Sequence, residues 1–497
     1  MALIRTLVLY VLATVSLIAI SSQMAHAQKA KYTISGQIRD AENGEDIPLA
    51  NVLVTNLPGV GTTSNVYGFY SITLEEGEYT LSFQLIGYES VQKQVVLTQD
   101  QRLDIEIGKG TQELQEVVIS SEKEDQNITR NEGSVTQINM KEVQEIAVFG
   151  GEPDIIKVME FNPGIKSAGE GNAGFYVRGG GLDQNLILLD EAPVYNPSHL
   201  LGFFSVFNGD AIKGATVYKG GMPAEYGGRT SSVMDIRMKD GNNKNFGASG
   251  GIGLLSGRLT VEGPIVKDRG SFIVSGRRTY LDLFLGLSDD ESLSGTELFF
   301  YDLNVKANYR INDKNRVYLS GYFGRDRFGF SDQFGLNWGN ATATLRWNHL
   351  FSDKLFSNTS FIYSDYDYEF SFGEGQDELG LQSVIHDLNF KQDFTLYLNN
   401  KNTMKFGFNA INHTIEPGNL NAGSNTGITA QDAEEKRGLE GAVYIQNQQD
   451  VTPRLNINYG LRYSFYQQYG TGTEYTFTDA GELISTETFS DWEAMEF

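Results

Sequence analysis

Catalysis needs nucleophiles, bases or metal ligands at close spacing, and this sequence offers few. It has no cysteine, which removes a thiol nucleophile, a disulfide frame and a cysteine zinc site. Its five histidines, at 26, 199, 349, 386 and 413, are scattered without ligand spacing. No nucleophile, base and orienting group fall in order, so no catalytic residue, metal site or cofactor is assigned and an enzyme is not expected. The run Gly179-Gly180-Gly181 lacks the lysine and Ser/Thr of a phosphate loop, and no acid follows at dinucleotide spacing. Two polar features remain. The turn Asn196-Pro197-Ser198-His199 lies between apolar segments and is expected at an outward apex, facing a ligand; a hydrogen-bonded loop histidine is the competing reading. Arg178, Arg229, Arg277 and Arg278 invite an electrostatic reading, the alternative being charge solvated by water.

The elements that would position these groups are mostly strands. Glycine numbers 55 and proline only 10 in 497 residues, which excludes collagen and proline-rich linkers. Lys and Arg total 39 against 63 Asp and Glu, a net charge of −24, which argues against nucleic acid as a partner. Residues 1–27 read as an export signal: Arg5, an apolar stretch from Leu7 to Ile20, then the cleavage pattern Ala25-His26-Ala27. Mean hydropathy is −0.29 and no apolar run is long enough for a helical membrane span.

Residues 28–108 alternate short strand patterns with Gly44, Gly59, Gly68, Gly77 and Gly87, and predict a small β-sandwich. Residues 109–134 form a polar linker. Its one apolar island, Leu114-Gln115-Glu116-Val117-Val118-Ile119-Ser120, suits addition to another protein's sheet edge, or ends the sandwich. Residues 135–244 mix short strands with a helix expected over Asp154–Phe161.

Residues 245–497 hold 40 of the 58 aromatic side chains and alternate with period two, as in Val305, Ala307, Tyr309 and Ile311, or Leu345 and Trp347. Such strands, with no downstream helices to cover an apolar face, predict a transmembrane β-barrel. Short polar turns at 266–269, 312–315, 352–354, 399–402 and 452–454 alternate with longer segments at 286–297, 373–382 and 417–437. Short turns belong on the periplasmic side and long loops outside, where the acidic runs Asp289-Asp290-Glu291 and Glu434-Glu435 are solvated. About eleven strands fit, against about 22 for a barrel wide enough to hold a domain the size of 135–244, so the sequence is expected to cover half a barrel, as a fragment or truncated product. The fold class is therefore mainly β: a small β-sandwich, an α/β domain and a partial antiparallel transmembrane barrel.

Four strings carry a family resemblance: Phe175-Tyr176-Val177-Arg178-Gly179-Gly180, Leu188-Leu189-Asp190-Glu191-Ala192-Pro193-Val194-Tyr195, Ala215-Thr216-Val217-Tyr218-Lys219-Gly220-Gly221, and Glu225-Tyr226-Gly227-Gly228-Arg229. Together they resemble the plug domain of TonB-dependent outer-membrane receptors. Ser35-Gly36, Pro48-Leu49-Ala50-Asn51-Val52 and Tyr67-Gly68-Phe69-Tyr70 resemble the carboxypeptidase regulatory-like domain, whose fold is also described as carbohydrate-binding-like and which brings no peptidase chemistry. The combination resembles the Bacteroidota form. Glu191 departs from the glycine usual after the aspartate, and Arg229-Thr230-Ser231 from the usual small residues.

The resemblance implies a plug domain at 135–244 and a TonB box at 114–120. It implies an outer-membrane location with the N-terminal domain in the periplasm. The implied partners are TonB, outer-membrane lipid, an unidentified extracellular ligand and, in one variant, a surface lipoprotein. The implied function is energy-coupled import of a scarce nutrient, the alternative being a surface signalling receptor without transport.

Overall fold

The computed structural model describes residues 30–110, 134–144, 146, 152–169, 174–285, 296–330, 333–431, 433–452, 455–470, 472–478 and 481–489. The export signal and the segment Leu114–Ser120 lie outside the described residues.

The N-terminal strands are β1 (Lys31–Asp40), β2 (Asn51–Val54), β3 (Gly61–Thr63), β4 (Phe69–Glu75), β5 (Gly77–Gln84), β6 (Val91–Leu97), β7 (Gln101–Arg102) and β8 (Ile105–Ile107). They form two sheets, β4-β1-β7 with β8 on β1, and β3-β2-β5-β6. The sheets pack through Ile34, Ile38, Phe83, Leu97 and Ile107, and Tyr70 meets Phe83 edge-on with centroids 5.5 Å apart. This is the expected sandwich.

The next region holds β9 (Val135–Asn139), α1 (Met140–Gln144), α2 (Ile155–Met159), β10 (Ile165–Ser167) and β11 (Phe175–Val177). It continues with β12 (Asn185–Leu189), β13 (Ala192–Pro193), β14 (Ser198–His199), β15 (Phe204–Ser205), β16 (Ile212–Tyr218) and β17 (Ser232–Met238). Its main sheet runs β13-β12-β17-β16-β9, with β12 and β17 parallel. Ile155, Met159, Ile187, Val217 and Ile236 form its core. Helix α2 is shorter than the sequence suggests. Asp154 caps it by accepting from Ile156 N at 2.9 Å, and Asn162 stands before Pro163, where the helical conformation is disfavoured. Phe161 is consequently outside the helix and 73% exposed.

A single antiparallel sheet of eleven strands follows, in chain order throughout. It comprises β18 (Gly247–Ile252), β19 (Ser256–Val266), β20 (Gly270–Thr279), β21 (Glu297–Asn312), β22 (Asn315–Phe330) and β23 (Phe334–Ser352). It ends with β24 (Leu355–Phe372), β25 (Leu379–Asn399), β26 (Asn402–Ala422), β27 (Lys436–Thr452) and β28 (Leu455–Tyr469). The helix α3 (Leu281–Leu285) precedes β21, and β29 (Gly472–Phe477) with β30 (Leu483–Phe489) forms a separate hairpin. Among the described residues no pairing joins β18 to β28, so the sheet is open.

The period-two pattern sets which way the sheet faces. Along β21, Asp302, Asn304, Lys306 and Asn308 are buried while Leu303 and Val305 are exposed. Along β23, Thr344, Arg346 and Asn348 are buried while Leu345 is 52% exposed and Trp347 is also exposed. Polar side chains inside and apolar ones outside is the reverse of a soluble sheet and is what a lipid-facing wall requires. The short turns at 266–269, 312–315, 352–354 and 399–402 fall where the sequence places them; the fifth, at 452–454, lies partly outside the described residues. Two of the long segments are shorter than expected, because β25 begins at Leu379 and β26 runs to Ala422, paired to each other to the end.

Candidate functional site

The sequence motifs converge where the α/β domain meets the inner face of the wall. Asp190 and Glu191 form the turn after β12, both with positive φ, +46° and +77°. A non-glycine residue with such a backbone needs support from its surroundings. Glu191 receives it from three directions. Its carboxylate accepts from Asn358 at 3.0 Å and from the Ser360 hydroxyl on β24, lies 3.3 Å from Arg346 Nε on β23, and accepts from the Tyr67 hydroxyl at 2.8 Å. Burial alone would raise the Glu191 pKa, but Arg346, Lys391 and Arg237 hold it well below the usual carboxylate range. Glu191 is therefore a charged bolt between domain and wall.

Asp190 is held the same way. Lys306 on β21 lies 2.9 Å from Asp190 Oδ2 and 2.9 Å from Asp240 Oδ1, tying the end of β12 to the segment that leaves β17. A third junction sits nearer the long-loop end. Arg277 reaches Asp302 at 2.6 Å, Glu152 at 2.9 Å and the Ser205 carbonyl at 2.8 Å, joining wall to α/β domain. The other three arginines behave differently. Arg178 donates to Ser134 at 3.0 Å within its own domain, Arg229 donates to the Gly228 carbonyl, and Arg278 pairs with Asp282 at 2.7 Å.

The turn 196–199 lies beside that third junction. Asn340 Nδ2 donates to the Asn196 carbonyl at 2.8 Å and Trp338 Nε1 to the Ser198 carbonyl at 3.2 Å. His199 is 1% exposed, stacked on Phe300 with centroids 4.1 Å apart, its Nδ1 2.6 Å from Asp326 and its Nε2 3.4 Å from Asp302. Burial alone would lower the His199 pKa; Asp326 and Asp302 override it and raise it. The histidine thus faces the wall, and of the four residues Asn196 alone keeps partial exposure. The hydrogen-bonded reading describes His199.

Among the motif glycines, Gly180, Gly220 and Gly227 sit at close approaches to Ser231, Arg178 and Arg462, whereas Gly179 and Gly221 have open space beside them and serve a positive φ. Arg178-Gly179-Gly180 and Gly220-Gly221 meet beside Ser134, where the domain begins, and Lys219 N donates to the Ser134 carbonyl at 2.8 Å. Tyr226-Gly227-Gly228-Arg229 lies against β27 and β28, where Arg462 donates to the Ala224 and Glu225 carbonyls at 3.3 Å. Tyr226 donates to Asp235 at 3.1 Å. Among the described residues no group of three His, Asp or Glu could hold a metal ion.

The sandwich is part of this site. The Asp40–Asp46 turn places Asp46 2.5 Å from Arg316 and 3.0 Å from the Tyr318 hydroxyl on the wall. Glu45 accepts from Asp240 N at 2.6 Å. A cleft of about 1520 Å³ remains between sandwich, α/β domain and β24–β28, bordered by Tyr67, Glu191, Tyr195, Arg237, Lys391 and Arg462. Of the residues that close the site, Arg346, Lys306 and Arg316 carry no sequence motif, and their only signal is a polar residue in phase with the inward face; Tyr67 belongs to a string that marks its own domain and not this contact.

Comparison with known proteins agrees with this architecture. Residues 34–119 match the CarboxypepD_reg-like domain and residues 127–233 the TonB-dependent Receptor Plug Domain. No curated protein matches the sequence. The solved copper transporter OprC superposes with a TM-score of 0.54 at 13% identity, covering 74% of this chain and 59% of that one. The ferric enterobactin receptor of Pseudomonas aeruginosa gives 0.51 at 14% identity, covering 73% and 64%. The FrpB iron transporter from Neisseria meningitidis gives 0.51 at 15%, covering 72% and 62%. The chain thus spans about 60% of the length of these structures, and the likeness is one of fold. The chain thus carries, at residues 127–233, a domain that matches the TonB-dependent receptor plug, seated against the polar face of that wall.

Proposed function

We propose that the chain serves energy-coupled import of a scarce nutrient across the outer membrane. The plug blocks the barrel, a ligand binds from the long-loop side, and TonB pulls on Leu114–Ser120 from the periplasm. The observation that carries this reading is the plug bolted by buried ion pairs to the polar face of a sheet whose other face is apolar. Such a sheet is stable against lipid, and a plug held by charges rather than by a continuous apolar core can be released and reseated. The sandwich, resting on the short-turn end, belongs in the periplasm, and a surface lipoprotein is a partner on the other side. The structures that this fold resembles are named for ferric enterobactin, iron and copper, so metal chelates are the first cargo to test.

The test is Val118→Pro in cells offered a panel of iron- and copper-loaded chelates. Proline has no backbone N–H for an added strand's ladder. Uptake is expected to be lost with surface binding unchanged. Uptake at the unsubstituted rate overturns the coupling role of 114–120. Binding without uptake in the unsubstituted chain points instead to a signalling receptor.

A further inference from the structure

The sandwich lies across the short-turn end of the wall and touches several of its turns. Ser35 donates to Asp353 at 2.6 Å, Arg102 donates to the Asp313 carbonyl at 2.6 Å, and Asn400 exchanges two hydrogen bonds with the Thr73 backbone at 2.9 and 2.6 Å. Two of its turns go further and enter the mouth. One carries Glu45 and Asp46 to Asp240 N and Arg316. The other, Asn65–Phe69, carries Tyr67, which is 8% exposed. The Tyr67 ring stacks on Phe356 at 5.4 Å, lies 5.5 Å from the Arg346 guanidinium, and its hydroxyl bonds Glu191. Beside it Phe69 packs on Phe356 and Tyr397.

Three features of this contact fit something that opens. It is rich in charge and hydrogen bonds, the character of a transient inter-domain interface more than of a permanent core. It ends on Glu191, a plug residue in a strained backbone that persists only while its partners hold it. It also covers the cleft, whose border includes residues 59–67 of the sandwich.

We propose that the sandwich is a lid on the short-turn mouth, latched to the plug through Tyr67 and Glu191, and that the plug turn at 190–191 is free to rearrange only when this latch is withdrawn. The chain path fits such a role. The sandwich is described to residue 110 and the plug from 134, so the segment with the coupling island joins lid to plug, and a pull on it loads both. This last step rests on the import reading; the latch itself does not.

The experiment therefore uses the purified full chain, with neither TonB nor cargo. Ser35→Cys with Asp353→Cys is placed in this cysteine-free sequence, and hydrogen exchange is followed in plug residues 185–195. The disulfide is expected to form. Tyr67→Ala and Tyr67→Phe, each without the cysteines, are expected to speed exchange at 185–195, by about tenfold for loss of the bond to a charged acceptor. Closing the disulfide in the Tyr67→Phe chain is expected to restore part of the protection. Unchanged exchange at 185–195 in Tyr67→Ala overturns the latch, and failure of the disulfide to form overturns the docked lid. Either result leaves the Val118→Pro test standing.

Discussion

Tyr67 and Glu191 are 124 positions apart in the chain, and the phenol hydroxyl of one donates to the carboxylate of the other at 2.8 Å. The contact joins sandwich to plug at the point where Arg346 joins plug to wall. Glu191→Gly relieves a positive φ worth about 1–3 kcal/mol. It also leaves Arg346 buried without its carboxylate, a loss of about 3–5 kcal/mol. The substitution to glycine is therefore expected to destabilise the chain. The urea midpoint should fall for Glu191→Gly and fall less for Glu191→Gln, which keeps acceptors for Tyr67 and Ser360. A raised midpoint for Glu191→Gly would show that strain outweighs pairing.

His199 gives the plug–wall contact a pH dependence. The imidazole lies between Asp326 and Asp302, with Arg277 and Glu152 in the same cluster, and its pKa is raised above the ordinary 6.5. A raised folded-state value means that the stabilisation is complete below pH 6.5 and is lost as pH climbs through the folded value. Urea midpoints measured from pH 6 upward should decline for the natural chain. His199→Gln, which cannot titrate, should lower the midpoint at pH 6 and flatten the decline. Parallel pH profiles for the two chains would remove His199 from this account.

Two glycines test how closely plug and wall approach. A Cβ on Gly241, where φ is +83°, would lie 2.3 Å from the Phe272 carbonyl oxygen, a backbone atom that cannot move aside. A Cβ on Gly227 would lie 2.4 Å from Arg462 Nε, part of a flexible side chain. Gly241→Ala is thus expected to cost more than about 2 kcal/mol and Gly227→Ala less than half as much. Thermal unfolding of the two variants side by side reads the order, and a greater loss at Gly227 would contradict it.

Much of this architecture is legible in the sequence because it is local. Strand alternation in Asn304–Ile311 already separates the wall's two faces, and glycine strings such as Tyr226-Gly227-Gly228 mark tight approaches before their neighbours are known. What is not legible is which inward polar residue meets which plug residue. Lys306, Arg316 and Arg346 look like any lumen-facing charge, and Asp46 and Tyr67 look like ordinary turn residues of a separate domain. Their partners lie 116 or more positions away in the chain, and no periodicity encodes such a distance. For the same reason His199 looks like a free apex histidine until Asp302 and Asp326 are seen beside it.

Lys306 offers the sharpest electrostatic test. Its ammonium is buried, 2.9 Å from Asp190 and 2.9 Å from Asp240, and donates to the Met238 carbonyl at 3.0 Å. Burial alone would raise the pKa of both acids, but Lys306 is the largest opposing influence on each, and both are held below their ordinary value. Lys306→Met fills similar space and leaves two buried carboxylates facing each other. At neutral pH that costs about 3–5 kcal/mol, the loss for breaking a buried pair from one side. As pH falls, one of the two acids takes up a proton, because burial and the neighbouring charge then both favour the neutral form. The penalty should therefore shrink on acidification. The natural chain behaves oppositely: its lowered carboxylates give stability that is present above their ordinary values and lost as pH falls through the folded ones. Urea midpoints of the two chains should converge between pH 7 and pH 4. A gap that stays constant over that range would show that Lys306 contributes packing and not charge.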